Sequence, residues 1–126
     1  MIDVAGIGTG DERAITLAAG AHGAARARLG ILLVTSGWFR DVGLQAAGSG
    51  LSREIDLAGA DVVKKTEEFA DPVCDGVVFS QDSARTAARR MIAAEVDGLL
   101  LVPLTWCEDA IPRAALEILG DIPLVL

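Results

Sequence analysis

The sequence predicts an α/β fold, three α/β/α layers around a parallel sheet of Rossmann-like or flavodoxin-like type. Three observations carry this. The runs Leu29–Thr35 and Gly98–Val102 are continuously apolar and of strand length, without the alternation of a half-exposed strand, so each is buried on both faces. Each run gives way to a short polar turn and then to a segment of helical periodicity. Ala and Gly are abundant while aromatics make up only 4%, which suits helices packed closely on a sheet. Strands alternating with helices imply right-handed crossovers and helices on both faces.

Taken in order, Met1–Gly10 reads as a short glycine-rich turn. Asp11 caps a helix over Glu12–Arg28, although Gly20 and Gly23 each weaken it by up to about 1 kcal/mol. Leu29–Thr35 is the first strand. A helix follows over Asp41–Ala58, interrupted near Gly48-Ser49-Gly50, with Gly59 as its stop. Ala60–Lys65 reads as a short charged strand near an edge, and Glu67–Asp75 as a loop around Pro72. Val77-Val78-Phe79 either extends a strand or packs a loop. Ser80 or Asp82 caps a helix over Ser83–Glu95, with Ala84, Ala87, Ala88, Met91 and Ile92 on its apolar face. Gly98–Val102 is the next strand. Glu108–Leu119 is a helix with Pro112 in its first turn and Gly120 at its end, and Pro123–Leu126 is the last strand. A chain that stops in an apolar strand reads as an N-terminal fragment of something larger, here one domain over residues 1–126.

Composition sets the function classes. At 126 residues the chain buries about 65–70% of its unfolded surface. Its net charge of −7 argues against nucleic acid, and Arg85, Arg89 and Arg90 read as a charged helix face. No apolar run approaches the roughly 20 residues that span a bilayer, and Met1-Ile2-Asp3 lacks a basic leader. Two cysteines, Cys74 and Cys107, make no disulfide framework. A cytoplasmic protein with reduced thiols and no membrane partner is expected.

Most motifs have a plain structural reading. Gly6, Gly8 and Gly10 are spaced Gly-x-Gly-x-Gly and lack a real preceding strand, so they do not make a dinucleotide fingerprint. His22 is the single histidine, far from other ligand types, so it holds no metal. Cys107 stands before Glu108-Asp109 at a helix start, where a thiol can be activated. No histidine base is available to it except His22, so a structural cysteine is preferred to a nucleophile. Two segments remain, Thr35-Ser36-Gly37-Trp38-Phe39-Arg40-Asp41 and Pro103-Leu104-Thr105-Trp106-Cys107-Glu108-Asp109. Both lie at the carboxyl end of a parallel strand, where open sheets place ligands, and each carries one of the two tryptophans. An indole face there stacks on the C–H face of a sugar or on a planar ligand while Arg and hydroxyls hold polar groups. The bland reading is a plug on the sheet or a subunit contact.

At these residues the chain resembles the N-terminal domain of the L-arabinose and L-fucose isomerase superfamily. Leu32-Leu33-Val34-Thr35-Ser36-Gly37 is similar to the first strand and its turn. The longer stretch from Val96 through Asp109 resembles the family's strand, polar or aromatic loop and helix start. Asp121-Ile122-Pro123-Leu124-Val125-Leu126 looks like the strand that follows. The resemblance covers Leu29–Leu126. It implies an aldose–ketose isomerase using manganese held by acidic residues and a histidine, all in later domains, so no catalytic or metal residue is carried over here. It also implies a homo-oligomer, in which this domain lends Trp38, Phe39, Arg40, Thr105 and Trp106 to a sugar site in a neighbouring subunit. Leu104 replaces the family loop's histidine, and Gly37-Trp38 replaces a Gln-containing turn, departures that favour the fucose-isomerase-like branch. The chain alone is then expected to be inactive. Two other readings compete: a stand-alone small-molecule-binding or protein-interaction module using the same two segments, and a cysteine enzyme built on Cys107.

Overall fold

The structure is a computed structural model and describes residues 26–45 and 51–126. The predicted N-terminal turn, most of the helix expected over 12–28, His22 and the break at 48–50 lie outside the described residues. The elements are β1 (Arg28–Val34), α1 (Gly37–Gln45), α2 (Leu51–Thr66), β2 (Asp71–Val73), β3 (Val77–Val78), α3 (Gln81–Ala93), β4 (Gly98–Pro103), α4 (Ala110–Leu119) and β5 (Leu124–Val125). The fold is mixed α/β, and the strands pair in parallel throughout.

β1 is the centre of the sheet. On one side it pairs with β4 in an unbroken register from Leu29 opposite Gly98 to Val34 opposite Pro103, and β5 follows outside β4. On the other side β2 takes the first half of β1 and β3 the second half, so residues 71–78 act as one interrupted edge strand. The chain thus leaves β1 toward one edge and returns across it to β4, reversing the strand order between β1 and β4.

Alternation along the strands divides the core. Leu32 and Val34 of β1 join Leu99 and Leu101 of β4 against Ala84, Ala87, Ala88 and Met91 of α3 and Ile111, Ala114 and Ala115 of α4. The alanines let both helices close on the strands. Gly30 serves the same end, since a Cβ there would stand 2.8 Å from the Met91 Sδ. Leu33, of opposite parity, meets α2 instead, where a Cβ on Gly59 would lie 2.9 Å from its Cδ1.

Several expectations are corrected. Gly59 does not stop a helix, and Ala60–Lys65 is not a strand; both belong to α2, which runs on to Thr66. Ile55, Gly59 and Thr66 are buried at helical spacing, Asp61 pairs with Lys65 at 2.9 Å, and the Thr66 hydroxyl donates to the Val62 carbonyl. The adjacent valines carry strand propensity, but propensity yields to this packing. Arg26 fixes the end of α2 by donating to the carbonyls of Glu67 and Ala70, a basic cap on a helix C-terminus. Arg28, expected in a helix, opens β1. The loop expected over 67–75 contains β2, and Pro72 is admitted there because β2 is an edge strand. Val77-Val78 forms β3. Helix α3 begins earlier than Ser83 and ends before Glu95. Ser80 caps it, accepting from the Ser83 N–H while the Ser83 hydroxyl accepts from the Ser80 N–H. Ile92 lies off its buried face, 51% exposed. α4 starts at Ala110 rather than Glu108, and β5 is limited to Leu124–Val125.

Two substitutions test this packing in urea unfolding. Gly59→Val, which forces a branched side chain against Leu33 and Val77, lowers stability by about 1–3 kcal/mol. Ser80→Ala, which removes the α3 cap, lowers it by about 1 kcal/mol. An unchanged midpoint for Gly59→Val contradicts the seating of α2 on Leu33.

Candidate functional site

The polar residues Thr35 and Ser36 end the most apolar strand and are only 1% and 0% exposed. A hydroxyl so deeply buried needs a partner, and each finds one on the segment after β4. The register of β1 on β4 carries the strands forward together: the Leu104 N–H donates to the Val34 carbonyl, and the Thr35 N–H to Val78 of β3. The Thr35 and Thr105 hydroxyl oxygens then stand 2.7 Å apart. Thr105 has one hydroxyl proton and gives it to the Trp106 carbonyl at 2.9 Å, so Thr35 is the donor between the two threonines. The Ser36 hydroxyl accepts from the Trp38 N–H at 3.1 Å, capping α1, and reaches the Glu108 carboxylate at a long 3.5 Å.

This arrangement places all five predicted contact residues at the carboxyl edge of the sheet. Trp38, Phe39 and Arg40 do not lie in a loop, as the sequence suggested; α1 begins at Gly37 and they form its first turn. Thr105 and Trp106 do lie in the segment between β4 and α4. Trp38 is 63% exposed and Trp106 69% exposed, so among the described residues neither indole is a plug. Trp38 packs edge-on against Phe39, with ring centroids 4.9 Å apart, and among the described residues the two indoles do not stack on each other. Arg40 holds its guanidinium over the ring of Phe79, 4.6 Å from the centroid. Phe79 follows β3, so a third strand end contributes to the same edge.

Thr35, Ser36 and Glu108 stand in the two segments singled out in the sequence but not among the five predicted contact residues, and Phe79 lies outside both segments. For the two hydroxyls a signal existed, namely polar residues closing a run too apolar to leave them solvated. For Phe79 none did, because its role depends on how β3 flanks β1.

Cys107 is half-buried, and its thiol is raised above the ordinary range by burial and then by the carboxylates of Glu108 and Asp109. Those charges oppose the activation a helix start could give. Cys74 is likewise raised by burial. Among the described residues no group of three His, Cys, Asp or Glu side chains is placed to hold a metal ion. A groove of about 650 Å³ opens between α2 and the β2–β3 edge, lined by Leu33, Gly59, Val63, Cys74 and Val77 among others. None of the predicted contact residues lines it, and it lacks the convergent hydroxyls of the strand ends. Among the described residues no helix is long and apolar enough to cross a membrane.

No family model matches the chain, and no match is found among the curated proteins or the solved structures.

The Cys107 environment makes a prediction about reactivity. A raised thiol holds less thiolate at neutral pH, so alkylation by iodoacetamide proceeds more slowly than for a free cysteine and accelerates only as pH climbs past the ordinary thiol range. Glu108→Gln, by removing one of the opposing charges, speeds the reaction at a given pH. A wild-type rate above that of a free thiol contradicts the structural role of this cysteine.

Proposed function

We propose that this chain is the N-terminal substrate-contacting and oligomerisation domain of a metal-dependent aldose–ketose sugar isomerase of L-fucose isomerase-like type, folded as a three-layer, Rossmann-like α/β/α unit. One observation carries the reading: the Thr35–Thr105 hydroxyl pair lies at the reversal of strand order between β1 and β4, with an exposed tryptophan on each side of it. Ligands of open α/β sheets bind outside the carboxyl ends of the strands at such a reversal. The strand order, with β1 inside and β4–β5 on its far side, fits the flavodoxin-like arrangement.

Each side chain has a defined part in holding a sugar. The faces of Trp38 and Trp106 cover C–H surface, as exposed aromatics do in carbohydrate sites. Arg40 offers donors to ring oxygens and hydroxyls, and Glu108 and the Thr105 hydroxyl oxygen accept from sugar hydroxyls. The exposure of both indoles in the single chain also suits a second subunit, which would close the site from outside. Isomerisation requires acid and base groups to carry a proton between neighbouring carbons while the carbonyl is polarised. The resemblance assigns the manganese and the proton-transfer groups to later domains of the parent enzyme. Free thiols at Cys74 and Cys107 accord with a cytoplasmic setting. The net charge of −7 gives nucleic acid no purchase.

Titration of the 126-residue chain with L-fucose and L-arabinose, followed by tryptophan emission, tests the reading. A saturable change with an affinity of about millimolar order is expected. Trp106→Ala weakens it about three- to tenfold, and L-fucose binds more tightly than L-arabinose. No saturable change with either sugar overturns the proposal, and so does conversion of L-fucose to its ketose by this chain alone with manganese.

A further inference from the structure

Phe79 has no role in the two-segment site read from the sequence, yet its ring is 36% exposed at the end of β3, beside the turn that opens α1. The loop does not need that ring for its shape. The Phe79 N–H is held by the Ser83 hydroxyl at 3.1 Å, and the Ser80–Ser83 box fixes the next residues. What the ring does contact is the cation of Arg40, at 4.6 Å. That arginine is held by a ring, not by a carboxylate. The chain has 18 acidic residues against 11 basic ones, and Arg26, Lys65, Arg85 and Arg90 each pair with a carboxylate. Among the described residues, the Arg40 guanidinium has no such partner. A carboxylate would occupy its N–H donors, whereas an aromatic face engages the charge and leaves those donors available. The backbone of Arg40 is tied to the site as well, its N–H donating to the carbonyl of Ser36 at 3.3 Å.

We infer that Phe79 is a positioning residue of the site: its ring holds the Arg40 guanidinium at the carboxyl edge of the sheet with its donors unspent, ready for the oxygens of a sugar. The inference rests on the sugar-binding reading above and adds the β3 loop to the site. It separates two uses of an exposed aromatic residue. Trp38 and Trp106 meet the ligand themselves, while Phe79 acts through Arg40.

A double-mutant cycle on the full chain, read by L-fucose titration, decides it. Phe79→Leu weakens binding about three- to fivefold, the scale of an exposed cation–π contact, while Phe79→Tyr retains it. In an Arg40→Met background, Phe79→Leu produces no further loss, because its effect passes through the missing guanidinium. In the unliganded protein, the Arg40 δ-methylene proton resonances sit upfield under the ring and move back in Phe79→Leu, while circular dichroism stays unchanged. Wild-type affinity in Phe79→Leu, or a loss that adds fully to that of Arg40→Met, overturns the positioning role and leaves sugar binding standing. A wild-type chain that does not bind L-fucose overturns the sugar reading and this inference with it.

Discussion

The parallel pairing of β1 with β4 places every polar group at the proposed ligand edge. The register runs without a bulge from Leu29 opposite Gly98 to Val34 opposite Pro103, so the two strands end level. Thr35 and Thr105 meet because of that level ending, not through any attraction of their own. A buried hydroxyl pair contributes on the order of 1 kcal/mol net, which is small beside the apolar burial of β1. It is costly to leave unmade, however, and this makes it an effective constraint on the conformation of the 104–106 segment. Packing supplies the stability, and the hydrogen bonds supply the geometry.

Close approach on both sides of β1 makes the pairing possible. Gly30 brings α3 in through Met91, and Gly59 brings α2 in over Leu33. The alanines of α3 and α4 extend the same device along one face. Glycines inside helices and strands normally weaken them. Here that penalty is offset by the contacts they permit. The consequence for function is rigidity below and openness above: a closely packed sheet carries a rim on which Trp38 and Trp106 are solvent-exposed, with Arg40 held by an aromatic ring.

Much of this was legible in the residues. The two long apolar runs became β1 and β4, the Ala-rich segment after Ser80 became α3, and Pro112 and Gly120 marked the start and end of α4. The five contact residues do share one edge of the sheet, since strand ends in an alternating α/β chain point the same way. What was not legible had specific causes. Gly59 imitates a helix stop, and its role as a packing glycine depends on Leu33, distant in sequence. Val62-Val63 has strand propensity that α2 overrides through its buried face. β2 and β3 are too short to signal themselves, and they exist because β1 offers them an edge. Trp38 to Arg40 read as loop because the Ser36 cap that starts α1 comes immediately after a strand, leaving no separate turn. Phe79 joined the site only through sheet order, which sequence spacing does not encode.

The most direct test of the central claim, that the strand ends around Thr35 and Thr105 form the binding surface, is a map of backbone amide shifts in the nitrogen–proton correlation spectrum as L-fucose is added. The account predicts saturable changes confined to Thr35 through Arg40, to Phe79 and Ser80, and to Leu104 through Asp109. Changes centred instead on Gly59, Val63, Cys74 and Gly76, along the groove beneath α2, would contradict it.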